Sequence, residues 1–297
     1  MKAHDCDTGQ AVTAPSVTVL ITAYNTRPDY FREAVRSALD QDWPDLEVLI
    51  VDDGSNPPLA CLVEEFNDPR LVYHRQPFRG LPHALIEGIR LARGEAVAIL
   101  DHDDRLTPSS IRVRWELLRQ TGAGLAYGDI DLMDPSGVVY GRQRFPDFPD
   151  VASFVRACLI HPIGPLKHGS VMYRRASALA VGNYDPDLPI EYDLDLIIRV
   201  AARDGLAQCH DVVAAYRVHP NNFSRSVVYR LRQIHYRWNV IDKQTCSWGR
   251  RWTDKTITAL TLVAKALWQG VTHRRPHRLL ARLSGSAKRD RIRAHGR

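Results

Sequence analysis

The chain has 297 residues, 44% of them apolar and 25% charged, with a net charge of +6; it can bury a substantial core and is neither disordered, collagen-like nor membrane-embedded in composition. Its five cysteines (Cys6, Cys61, Cys158, Cys209, Cys246) form no Cys-x-x-Cys pair, which excludes a disulfide framework and a zinc ribbon and fits reduced thiols in a cytoplasmic protein. Charge is unevenly spread: residues 228–297 hold 17 Lys/Arg against 3 Asp/Glu, and residues 1–227 hold 23 against 31, so the two regions are expected to meet different partners or solvents.

Residues 1–15 are polar, carry no signal-peptide pattern and are expected to be flexible. Val17 to Thr22 (VTVLIT) reads as a buried strand, and Pro28 opens a helix whose apolar face is Phe31, Ala34, Val35, Ala38 and Leu39. Leu46 to Val51 is a second strand, ending at Asp52-Asp53-Gly54-Ser55. Leu71-Val72-Tyr73 is a third, and a helix is expected over about 81–92. Ala96 to Leu100 is a fourth strand, ending at Asp101-His102-Asp103-Asp104. Continuous apolar strands alternating with amphipathic helices predict an α/β fold, with a Rossmann-like, mostly parallel sheet flanked by helices. Both acidic groups then fall at the carboxyl ends of strands, the edge where such sheets bind ligands.

From about residue 123 the rhythm changes to short strands near 125–128, 138–140 and 170–173, separated by proline-containing loops. Glu191 to Ala202 reads as a helix and His210 to Tyr216 as a strand. Residues 227–297 read as a basic helical extension containing Trp238, Trp248, Trp252 and Trp268. The longest apolar run there, Ala259 to Trp268, contains Lys265 and is too short to span a bilayer. The expected organisation is a flexible 1–15, a domain over 16–226 divided at about 122/123, and the extension.

Three carboxylates within the four residues Asp101–Asp104 repel one another unless a cation neutralises them. Helix capping does not account for them, because Thr107 and Pro108 already supply an N-cap and a first helical residue. In an extended Asp-x-Asp the alternate side chains Asp101 and Asp103 point the same way. Hard oxygen ligands of that kind suit Mg²⁺ or Mn²⁺ gripping a phosphorylated substrate. Neither a Gly-x-Gly-x-x-Gly after the first strand nor a P-loop is present, which argues against dinucleotide dehydrogenases and P-loop NTPases.

The stretches SVTVLITAYNTRPDYFREAVRSALDQDWPDLEVLIVDDGS (16–55) and GEAVAILDHDDRLTP (94–108) resemble the amino-terminal half of family 2 glycosyltransferases of GT-A fold, and the likeness extends over about 16–226. The resemblance implies an inverting enzyme that moves a sugar from a nucleotide diphosphate sugar, UDP- or dTDP-linked, to the hydroxyl of a carbohydrate or lipid-linked acceptor, with Mn²⁺ or Mg²⁺. It implies a donor site of Thr22, Ala23, Tyr24, Asp52, Asp53, Arg79, Asp101, His102 and Asp103. Within it Thr22 and Tyr24 border the base, Asp53 or Asp52 bonds its ring N–H, and His102 is a spacer between Asp101 and Asp103. The metal ligands implied are Asp101, Asp103 and His219 of the Tyr-Arg-x-His element, with Asp104 in support. EYDLDLIIR (191–199) matches the family's second acidic motif and places Asp193 as the general base, with Tyr192 where glutamate is usual and Glu191 and Asp195 as competing bases. Lys167 and His168 fall in the acceptor-side region. Leu85 and Ile86 stand where the family carries Arg-Asn, so Arg79 or His83 is expected to substitute. The basic extension is read either as helices on an anionic membrane surface at the cytoplasmic face or as helices packed on their own domain; no nucleic-acid module is visible. A catalytically silent nucleotide-sugar-binding protein and a nucleotidyltransferase are the alternative readings.

Overall fold

A computed structural model describes residues 16–160, 166–220, 222, 227–244 and 253–261. The chain divides into two compact units, the first formed by residues up to Cys158 with Ile163–Asn222, and the second by Leu159–Pro162 with residues from Phe223 onward.

The first unit is built on a nine-stranded sheet. β1 (Val17–Ala23), β2 (Leu46–Asp52), β3 (Leu71–Arg75) and β4 (Ala96–Asp101) run parallel in the order β3-β2-β1-β4. Every residue of β1 and β2 is buried, as expected of strands covered on both faces. The connections are α1 (Pro28–Leu39), α2 (Ala60–Glu64) and α3 (Leu81–Leu91). The register sets Thr22 opposite both Val51 and Asp101, and Ala23 opposite Asp52. The carboxyl ends of β1, β2 and β4 therefore finish level, and the acidic groups that follow them share one edge.

Beyond β4 the sheet becomes mixed. β8 (Val171–Arg174) runs antiparallel to both β4 and β6 (Leu125–Met133), and β9 (Leu206–Arg217) runs parallel to β6. The edge is completed by β5 (Arg105–Leu106), antiparallel to β9, and β7 (Val139–Gln143) pairs with β6. α4 (Ser110–Thr121), α5 (Val151–Ile160), α6 (Arg175–Ala180) and α7 (Tyr192–Asp204) complete the connections. The five-residue α2, the six-residue α6 and the two-residue β5 were not anticipated, being too brief to repeat an apolar stripe, and neither was the ten-residue α5, which stands between proline-containing loops.

One expectation is overturned at α4. Thr107 is not its N-cap and Pro108 is not its first residue; the cap position is Ser109. Pairing of Arg105 and Leu106 with β9 holds the chain extended, and the Thr107 hydroxyl instead donates to the Val212 carbonyl at 2.5 Å.

In the second unit α8 (Val227–Gln244) and a helix over 253–261 are described. The Trp238 indole donates to the Lys255 carbonyl at 3.2 Å, Lys255 pairs with Asp242 at 2.7 Å, and the Thr258 hydroxyl donates to Leu159 at 2.9 Å. The expected flexible 1–15, Trp248, Trp252, and the basic tail with Trp268 lie outside the described residues. Among those described, no helix is long and apolar enough to cross a membrane.

Two glycines approach β1 closely, Gly88 from α3 and Gly94 from the turn after it. A Cβ on Gly94 would lie 2.4 Å from the Thr18 backbone nitrogen, whereas one on Gly88 would lie 2.4 Å from a methyl of Leu20. Backbone in a paired strand cannot yield, but a leucine side chain can. Gly94→Ala should therefore destabilise the protein by about 2 kcal/mol through overpacking. Gly88→Ala should cost less, because about 1 kcal/mol of helix propensity is regained. Urea denaturation of the two variants checks the order.

Candidate active site

The edge after β1 and β2 is rigid. Asp52 is fully buried; it accepts from the Ser55 and Leu59 amides at 2.8 and 3.2 Å and from the Tyr73 hydroxyl at 2.7 Å. Those bonds outweigh its burial and hold the carboxyl below its ordinary range. Asp52 thus shapes the turn and does not face a ligand, a correction to its placement in the donor site. Asp53, 3% exposed, accepts from the Gln76 side-chain amide at 2.7 Å and from the backbone amides of Arg79 and Gly80 at 3.0 and 2.8 Å. It fixes the entry to α3, at whose start the exposed Arg79 stands. Thr22 and Ala23 are buried strand ends. Tyr24 is 45% exposed and rests on Phe78, itself 60% exposed, with ring centroids 4.5 Å apart. The two rings present an aromatic surface beside Asp53. Phe78 went unremarked in the sequence because it belongs to no periodic element.

The loop after β4 is organised by a residue the sequence reading passed over. Arg217, at the end of β9, is fully buried. Its Nε donates to the Asp103 carbonyl at 2.8 Å, Nη1 to the Pro135 carbonyl at 3.2 Å, and Nη2 pairs with Glu33 of α1. Its backbone amide donates to Asp104 Oδ1 at 2.7 Å, and its guanidinium lies 4.2 Å from the Tyr30 ring centroid. The signal available was the arginine beside the histidine in Tyr-Arg-x-His. Two residues on, His219 Nε2 meets Asp103 Oδ2 at 2.8 Å. His102 is not a mere spacer: its Nδ1 hydrogen-bonds the Thr26 hydroxyl at 2.7 Å and ties this loop to the one after β1. Burial pushes the His102 pKa down, favouring the neutral ring.

Two carboxylates of this loop are only partly compensated. Burial, and then the charges of Asp103 and Asp193, raise Asp101 to about 7 against the opposing charge of Lys167. Asp104, 3% exposed, is also pushed well up, by burial first and then by Asp103 and Asp101. Asp193, the second residue of α7, and Lys167 therefore lie within electrostatic reach of Asp101. Lys167 also sits 5.1 Å from the Tyr216 ring centroid.

The other candidates on this side are held away from reaction. Asp195, 1% exposed, is engaged by Arg199 at 2.6 and 2.9 Å, and Arg199 also donates to the Val181 and Asn183 carbonyls. Glu191, 4% exposed, precedes α7 with φ of +69°, a left-handed conformation unusual for a side-chain-bearing residue. His168 is 7% exposed, its Nε2 bonded to the Tyr184 hydroxyl at 2.8 Å, and its ring packs against Tyr192 at the start of α7. Leu85 is buried in the core contact of α3, and Ile86 is half-buried.

Among the described residues, no three His, Cys, Asp or Glu side chains form a metal cage. The expected trio Asp101, Asp103 and His219 is preassembled only as the pair Asp103–His219, with Asp101 alongside. That pair fits a hard divalent cation which takes its remaining ligands from phosphate and water, as Mg²⁺ and Mn²⁺ do. The raised Asp101 and Asp104 are further marks of negative charge awaiting a counter-charge.

Residues 18–181 match the model of glycosyl transferase family 2. A succinoglycan biosynthesis protein, ExoO, of Rhizobium meliloti is 36% identical over 230 residues, covering 74% of this chain and 65% of that protein. An uncharacterized glycosyltransferase of Rickettsia typhi is 25% identical over 244 residues, 77% of this chain and 72% of that one. Of solved structures, S. aureus TarS 1–349 with UDP-GlcNAc superposes with a TM-score of 0.65 at 16% identity, covering 83% of this chain and 71% of that one. The mannosyltransferase PcManGT of Pyrobaculum calidifontis, with GDP-Man and Mn²⁺, gives 0.59 at 18% identity over 95% of this chain and 81% of that one.

Folded Asp101 holds its proton more tightly than the unfolded chain, whose aspartates titrate near ~3.9. The folded state is thus favoured below that value, and stability falls as pH rises toward about 7. Urea denaturation at pH 5 and 7.5 without metal should show this loss, Asp101→Asn should reduce it, and Mn²⁺ should restore stability at pH 7.5.

Proposed function

This chain belongs to glycosyl transferase family 2 and has its GT-A fold, and we propose that it transfers a sugar from a nucleotide diphosphate sugar to an acceptor hydroxyl, with inversion, in polysaccharide or glycoconjugate synthesis. The observation that carries the reading is that Asp103 of the loop after β4 is paired with His219 of the β9 exit loop, while Asp193, on the separate element α7, bears electrostatically on Asp101. A base that must accept a proton is thereby kept on a separate element from the groups that meet the diphosphate.

The nucleotide base rests on the aromatic surface of Tyr24 and Phe78, above the turn that Asp53 fixes. Asp103 and His219, with Asp101 beside them, would hold a Mn²⁺ or Mg²⁺ ion, which supplies positive charge to the leaving diphosphate when bound. Asp193 takes the acceptor hydroxyl proton as its oxygen attacks the anomeric carbon, and the nucleoside diphosphate departs from the opposite face. Lys167 adds a protein cation near Asp101. Support for a nucleotide sugar comes from UDP-GlcNAc in TarS and GDP-Man with Mn²⁺ in PcManGT, and support for a glycan product from the succinoglycan assignment of ExoO. A UDP- or dTDP-sugar is the donor we favour, and the acceptor is a carbohydrate or lipid-linked hydroxyl.

The test begins with UDP-, dTDP- and GDP-sugars and Mn²⁺ in a thermal-shift series, where a native-state ligand raises the melting temperature. With the stabilising donor, Asp193→Asn should lower transfer by about 10²–10⁴-fold while the thermal shift persists; loss of the shift instead would remove Asp193 from the role of base. Asp103→Asn should abolish the Mn²⁺-dependent part of that shift. Bound donor with no turnover under any acceptor would favour the silent binding protein.

A further inference from the structure

β9 gives way to its exit loop at His219, and one side chain governs the change. The Val218 amide still donates to the Met133 carbonyl of β6 at 2.8 Å. From His219 onward the half-buried Asn222 takes over. Its Oδ1 accepts from the His219 amide at 2.6 Å, and its Nδ2 donates to the Arg217 carbonyl at 3.1 Å. Its own amide donates to the His219 carbonyl at 3.2 Å. A single planar group thus bridges the backbone on either side of Val218, and the three bonds together fix where His219 lies.

The same bonds decide which way the Asn222 side chain faces. Turned over, it would set its NH₂ against the His219 N–H and its oxygen against the Arg217 carbonyl, two repulsions in place of two bonds. Nδ2 is therefore the atom that stands 3.3 Å from His219 Nε2, the ring nitrogen that also meets Asp103 Oδ2 at 2.8 Å. An amide NH₂ meets a ring nitrogen only as a donor, and a carboxylate meets it only as an acceptor, so one nitrogen cannot serve both. The shorter, charge-assisted contact takes the Nε2 hydrogen. Asn222 then acts on the ring through the backbone it holds and by filling the space beside Nε2. The Tyr30 ring, 5.7 Å away between centroids, bounds the imidazole as well.

We infer that Asn222 is a positioning residue for His219: it carries the Arg217 clasp two residues further along the chain and keeps Nε2 on Asp103. Without it the clasp would end at Arg217 and Val218, and the imidazole would hang by one hydrogen bond from the end of a strand. The inference rests on reading Asp103 and His219 as groups that would hold the cation. Asn222 lies three residues past the Tyr-Arg-x-His element, so that motif does not point to it.

The whole chain labelled with ¹⁵N-histidine, without metal at pH 8, is read by long-range ¹H–¹⁵N correlation, and His219 is assigned by its loss in His219→Ala. The native ring should carry hydrogen on Nε2. In Asn222→Ala its two nitrogen shifts should move toward each other as the ring samples both neutral forms. An unchanged His219 spectrum in Asn222→Ala overturns the inference. So does a native ring with hydrogen on Nδ1 alone, even if the variant does not fold. Mn²⁺ binding, followed by loss of the free-ion EPR signal, then compares the native chain with Asn222→Ala, His219→Ala and the double variant. Asn222→Ala should weaken binding about 10-fold, as loss of a group that orients a metal ligand does. The double variant should bind no more weakly than His219→Ala, because Asn222 acts through that ring. Unchanged binding in Asn222→Ala, or a further loss in the double variant, overturns the inference. A native chain that binds no Mn²⁺ instead removes the cation from the proposed function, and the histidine spectra still decide the role of Asn222.

Discussion

A guanidinium removed from water must set its N–H groups on protein acceptors, and Arg217 does so with groups drawn from across the sequence. It holds Asp103 from the loop after β4, Pro135 from the β6–β7 turn and Glu33 from α1, and its own amide holds Asp104. Removing one partner of a buried ion pair is far more damaging than the pair is stabilising, since the remaining charge is stranded. Here the stranded groups would be Glu33 and an acidic loop already crowded with like charges. The placement of His219, two residues beyond Arg217, depends on the same anchor, so the Asp103–His219 contact is a consequence of the clasp.

That clasp explains how a loop of three carboxylates persists with few counter-charges. Asp104 faces inward on the Arg217 amide, Asp103 is bonded to His219, and Asp101, with only Lys167 opposing its neighbours, retains a pKa near 7. The loop is held in place by backbone and guanidinium contacts, not by neutralising its charges. Such a loop is preorganised for positive charge: binding it removes repulsion already present in the folded state and costs little rearrangement.

The first half of the fold was legible because its strands are apolar on both faces and its helices periodic; the carboxylates at strand ends followed from that rhythm. What one sequence does not reveal is which carboxylate turns inward. Asp52 and Asp53 are adjacent and chemically identical, yet one is fully enclosed by the Ser55–Leu59 turn and Tyr73, while the other clamps the start of α3. Likewise Asp193 and Asp195 look alike until Arg199, one helical turn beyond Asp195, engages it. The Tyr24–Phe78 surface joins residues 54 positions apart and the Arg217 clasp residues 82 to 184 positions apart in the chain, contacts to which no local periodicity points.

The two sides of the site differ in how they are held, and the difference bears on specificity. Beside the strands β1, β2 and β4, Asp52, Asp53 and Asp104 each accept from backbone amides, so much of the shape offered there is set by the main chain, with Asp103 held by the His219 side chain. On the α7 side, the start of the helix is held by side chains: the rings of His168 and Tyr184 against the half-buried Tyr192, and the Asp195–Arg199 pair that closes the helix onto Val181 and Asn183. A main-chain scaffold tolerates substitution without changing what it binds, whereas a side-chain scaffold is reshaped by single replacements. The strand-side geometry is therefore the part of this molecule suited to a common ligand class. The rings at the start of α7 are the part that single replacements can reshape while the sheet stays as it is.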